Sequence, residues 1–219
     1  MNEYLLLKFA HIIAFVYWLG GDLGTFLASR QVVNRDLSPE SRAVALKIML
    51  ACDMGPKFAM PLILPLGVHL AWLGGVLALP ASAVALVWLA ALYWFCVVLI
   101  LFVKEGQPFT ARLSQLDLYF RIAVVAILAA YAIYALSAAG GTASWVAWKL
   151  VVFAALVSCG IAIRIRLRPF GAAFGQMMST GPTEDSDNTL ERCVARCRPY
   201  VWCIWVGLFL NAAIGTHPV

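Results

Sequence analysis

Two histidines, two lysines and one aspartate lie in or at the edge of apolar runs: Lys8, His11 and Asp22 in the first, His69 in the second, Lys149 opening the fifth. A charge at the centre of a bilayer costs about 2.5–3.5 kcal/mol on insertion scales, so such residues are functional candidates. Tyr4, Lys8, His11, Phe15, Trp18, Asp22 and Ser29 recur at spacings of three, four or seven, which predicts one stripe of a helix facing other protein. Gly20, Gly21 and Gly24 beside it would admit another backbone or a flat ligand. At 1.5 Å per residue, His11 is about 10 Å and His69 about 15 Å from the same face, and Asp22 about 16 Å below His11. Two neutral imidazoles suit a haem b, with His11 and His69 as iron ligands and Lys8 and Lys149 near the propionates. Ligation by one histidine, and histidines that merely hydrogen-bond a neighbouring helix, remain open alternatives. Asp22 and Trp18 are the candidate catalytic residues, Asp22 on a proton path; pairing of Asp22 with Arg30 or Arg121 is the structural alternative.

The elements that must position these residues are membrane spans. The chain is 63% apolar and 12% charged, with mean hydropathy +0.87, where a soluble domain carries about 25% charge. Six runs approach the roughly 20 residues needed to cross a bilayer: 5–28, 57–79, 83–103, 122–139, 145–165 and 199–216. The expected fold is an all-α, six-span bundle forming one domain over 1–219, with the first run a retained span. Fourteen of the sixteen Lys and Arg residues fall in three connections, around Arg35, Arg112 and Arg168, and only Lys8 and Lys149 lie on the other side. Basic connections stay cytoplasmic, so both termini are expected outside. The net charge of +5 therefore reflects topology, and nucleic acid is not an expected partner. Six cysteines without a histidine-bearing cluster predict reduced thiols. No phosphate loop, hydrolase triad or zinc motif is present. The connections predict an interfacial helix from Ser38-Pro39-Glu40 to about Cys52, a break at Asp53-Met54-Gly55-Pro56, and a kink at Pro61 and Pro65. They also predict a short helix between Lys104 and Arg121, an exterior turn at Gly140-Gly141-Thr142, disorder over 179–187, and an interfacial helix from Thr189 to Arg198.

Lys8-Phe9-Ala10-His11-Ile12-Ile13-Ala14, then Trp18 and Gly20-Gly21, resembles the first span of HemJ-type protoporphyrinogen oxidases and the related CopD-like membrane proteins. Trp145-Val146-Ala147-Trp148-Lys149-Leu150 resembles a later span of that group. The resemblance implies a helical bundle and, for the oxidase branch, haem b with His11 as ligand and Lys149 as a site residue. The expected function is electron transfer or oxidation of a quinone- or porphyrin-type substrate in a bacterial inner membrane, with a possible partner membrane subunit. The rival is a non-redox transporter, including CopD-like metal transport, or a structural subunit of a membrane complex.

Overall fold

The computed structural model describes residues 2–137 and 142–216; Gly140 and Gly141 of the expected turn, and His217, lie outside the described residues. The order is α1 Glu3–Val32, α2 Pro39–Leu73, α3 Ala81–Val103, α4 Thr110–Leu136, α5 Ser144–Arg166, α6 Phe170–Thr180 and α7 Glu184–Gly215. Six of the helices are long and apolar enough to cross a membrane, the exception being α6, which extends α5 after a short turn. The result is the expected all-α bundle. Its outer faces stay apolar, as at Leu86, Leu89 and Phe9, because acyl chains replace water there.

Capping sets several boundaries. The Asn2 side chain accepts from the Tyr4 N–H, and Ser38 caps α2 ahead of Pro39 at its first position. Thr183 and Ser186 form a reciprocal capping box at α7.

The helices are longer than the expected spans, and each extension corrects an expectation. α2 runs unbroken through Asp53-Met54-Gly55-Pro56, against the expected break, and Pro61 and Pro65 lie inside it. Proline frees a carbonyl one turn back, but all three are buried against other helices, where packing offsets the lost bonds. α4 absorbs most of the second basic connection. α7 absorbs the interfacial segment, Pro199 and the end of the segment expected to be disordered. That segment orders because Ser186 closes the capping box and the Asp187 carboxylate pairs with Arg42 at 2.7 Å.

Close approach of α1 and α2 fixes the register of the first stripe. A Cβ on Gly21 would meet Pro56 Cδ at 2.5 Å, and one on Gly55 would meet the Tyr17 carbonyl at 2.7 Å. The two helices therefore run antiparallel with backbones nearly touching. The main core joins Trp18, Met60, Trp94, Leu128, Phe153 and Leu208. A second cluster, at the end of the bundle carrying the basic connections, joins Val32, Ala45, Phe174, Met177, Leu190 and Cys193. There Arg35 forks onto Glu191 and Asn188, and the carboxylate holds its guanidinium above the ordinary arginine value. A third cluster at the far end joins Val68, Ala71, Leu77 and Val146.

Candidate functional site

The stripe on α1 faces inward over most of its length. Trp18 is 1% exposed, and His11, Phe15, Asp22 and Ser29 are half-buried, while Leu5, Phe9, Ile12, Val16 and Leu23 point out. Tyr4 and Lys8 depart from the expectation and are exposed, because the stripe reaches the far end of the bundle before other helices cover it.

His11 lies on α2. A Cβ on Gly67 would meet its Cε1 at 3.0 Å, so the missing side chain of Gly67 makes room for the ring. Ile63, one turn away on α2, offers its backbone to the imidazole, and the Lys149 ammonium is close enough to act on it electrostatically. Lys149 reaches from α5 to α7, where a Cβ on Gly215 would sit 2.5 Å from its Nζ. It forms no salt bridge among the described residues, and its nearest ring is Trp145, 6.0 Å away. His11 Nδ1 is buried without a hydrogen-bond partner, as is Asn211 Oδ1, one turn below Gly215. Lys149 of α5 thus lies in electrostatic range of His11 of α1.

His69 does not join them face to face. It follows Gly67 by two residues, about 200° round the helix, and its ring lies near Trp72 and Trp88, at 5.8 and 6.3 Å between centroids. Its Nε2 faces Glu3 Oε1 at 3.8 Å, too long for a hydrogen bond, and its Nδ1 is buried without a partner. His11 and His69 thus each hold a buried Nδ1 without a partner among the described residues, on different faces of α2. Among the described residues no group of three or more His, Cys, Asp or Glu could hold a bare metal ion.

Trp18 and Asp22 belong to a different place. They line a cavity of about 530 Å³ in the half of the bundle nearer the basic connections, and none of Lys8, His11, His69 and Lys149 lines it. The Trp18 indole is within hydrogen-bonding reach of the Asp22 carboxyl, and the Asp53 carboxylate is nearby. Asp22 does not pair with Arg30 or Arg121, and its Oδ2 is buried without a partner. Arg30 stacks over Phe26 instead.

Arg121 has gone to a cluster that spacing alone did not bring together. Asp117 Oδ2 accepts from Arg121 Nε at 2.9 Å and from Arg164 Nη1 at 2.8 Å. Arg164 also donates to the Ser114 carbonyl and hydroxyl. Arg121 reaches inward to Met60 Sδ, 3.8 Å from its Nη1, and lies over the Trp94 ring at 5.1 Å. The local signal was legible: Asp117 and Arg121 are one helical turn apart. Arg164 joins them from α5, a helix contact that pattern alone does not give.

No family model, curated protein or solved structure matches this chain. Fold and hydropathy define it as an integral membrane protein, a bundle whose six long apolar helices suit a bilayer.

Proposed function

We propose that this is a haem b protein of the membrane, serving electron transfer or the oxidation of a quinone- or porphyrin-type substrate. The observation that carries the reading is that, among the described residues, the buried His11 Nδ1 has no partner and the nearby Lys149 ammonium forms no salt bridge. His11 would hold the haem iron, and Lys149 would answer a propionate, with Lys8 at the more exposed rim. His69 is a second ligand only if α2 turns its face toward His11. Bound there, haem supplies one-electron chemistry. Gly67 leaves the imidazole its place, and the surrounding apolar side chains keep water away. Trp18 and Asp22, further along the same stripe, are placed to hold or pass a proton toward the basic end.

The basic connections face the cytoplasm and both termini face outward, as expected of a bacterial inner membrane protein. A reduced-minus-oxidised spectrum of the purified protein tests the haem directly. A b-type band that His11→Ala abolishes supports the reading, and a colourless preparation from haem-replete cells rejects it. The transporter reading has its own support: the large cavity lies in the half opposite His11 and is lined by Asp22, Arg121 and Arg164. Substrate flux with no haem band would favour it.

A further inference from the structure

The cavity has a composition that the redox reading does not use. Of its lining residues, Trp18, Met60 and Ile204 are buried, while Glu105, Arg168 and Arg198 are exposed. Five bases line it, Lys57, Arg121, Arg164, Arg168 and Arg198, against four acids, Asp22, Asp53, Glu105 and Asp117. Asp53 is already paired with Lys57, and Asp117 serves both Arg121 and Arg164. Two guanidiniums thus share one carboxylate, and the Arg121 and Arg164 side chains are only 14% and 31% exposed. Asp22, also in the lining, pairs with neither guanidinium, so Arg121 and Arg164 keep donors that a further anion can answer. Asp117 Oδ1 is buried with no donor, so the same cluster also has an acceptor to spare.

One side of the cavity is apolar and reaches the lipid. Val98, Leu101 and Phe102 of α3 line it, Phe102 is 48% exposed, and α3 packs mainly on α2, touching α4 only lightly. A volume of about 530 Å³ lies in the usual range for small-molecule sites, about 300–1,000 Å³. We propose that the cavity binds an amphiphile whose head is a phosphomonoester, held by Arg121 and Arg164, with its apolar chain leaving along Val98, Leu101 and Phe102. The phosphoryl oxygens accept from the guanidiniums, and a singly protonated head donates its hydroxyl to Asp117 Oδ1. Gly160 keeps the facing wall low: a Cβ there would have only Met60 Cε within 4 Å, at 3.7 Å. The site stands whether or not His11 holds an iron.

The test is thermal stabilisation and native mass spectrometry of the full chain in mild detergent. The probes are dioleoyl phosphatidate, oleoyl lysophosphatidate, monoolein and inorganic phosphate. Saturable binding of a phosphatidate, absent for monoolein and inorganic phosphate, is expected. Arg121→Gln, which leaves Asp117 paired with Arg164, and Gly160→Leu, which fills the cavity from the other wall, should each weaken it roughly tenfold, the factor that one lost charge-assisted contact carries. Arg112→Gln, outside the cavity, should not. Preference for the two-chain probe marks a bilayer lipid as the source, and preference for the one-chain probe marks a freely diffusing amphiphile. Equal binding of monoolein, an equal effect of inorganic phosphate, or binding unmoved by both cavity variants would overturn the proposal.

Discussion

Replacing Arg42 with methionine is predicted to loosen the basic end of the bundle. Arg42 is 1% exposed; its Nε donates to the Val32 carbonyl at 2.8 Å and its Nη1 to Asp187 Oδ1 at 2.7 Å. The first bond satisfies a carbonyl in the last turn of α1, which has no partner inside its helix. The second neutralises a carboxylate that is 8% exposed beside a fully buried Leu190. Breaking a buried pair from one side costs about 3–5 kcal/mol. Asp187 sits in the first turn of α7, where the helix dipole returns up to about 1 kcal/mol, so the expected loss is near the lower bound, about 3 kcal/mol. For a chain of this size that lowers the midpoint by about 6–12 °C. Thermal unfolding in mild detergent, followed by tryptophan fluorescence, reads it. The double variant Arg42→Met with Asp187→Leu removes the stranded charge and should recover more than half of the loss. A single variant within about 1 kcal/mol of the parent, or a double variant worse than the single, would show that the pair does not hold this end together.

Further outcomes follow from the other packed sites. Gly21→Val should disrupt the α1–α2 contact and cut the yield of folded protein, because a Cβ there overlaps Pro56 and the Cys52 carbonyl; Gly20→Val, with open space around its Cβ, should leave yield unchanged, and equal yields from both would refute the contact. His11→Ala should abolish a b-type absorption band, His69→Ala should leave it in place under single-histidine ligation, and Lys149→Ala should keep the band but weaken retention of the cofactor during purification. An unchanged band in His11→Ala would remove the site. A thiol placed by Arg112→Cys should react with membrane-impermeant reagents only from the cytoplasmic side; labelling from outside would invert the assigned topology.

The six long helices were legible because lipid imposes one requirement on every span, and hydropathy records it directly. Their ends were not. The run ending in Pro56 reads locally as a break, yet it lies within a continuous helix, since burial against neighbouring helices outweighs local preference. The run from Ser179 to Asp187 reads as disordered by composition; its end is ordered by the Thr183–Ser186 capping box together with the distant Arg42. The inward stripe of α1 was visible in its spacing, whereas the rotation that separates His69 from His11 depends on how α2 packs. The meeting of Arg121 with Arg164 on Asp117 joins helices far apart in sequence, which periodicity within one helix cannot report.

α2 has a mechanical consequence. Its 35 residues make a rod of about 52 Å, against a hydrocarbon core of about 30 Å. Roughly 20 Å of it therefore stands clear of the hydrocarbon, and the cluster of Val32, Ala45, Met177 and Leu190 is built around that protruding length. α2 is one continuous helix from the overhang to the stretch that carries Met54, Lys57 and Met60 along the cavity wall, with Pro56 inside that stretch. The overhang and that wall are thus parts of a single element, and Pro56 is where it can bend.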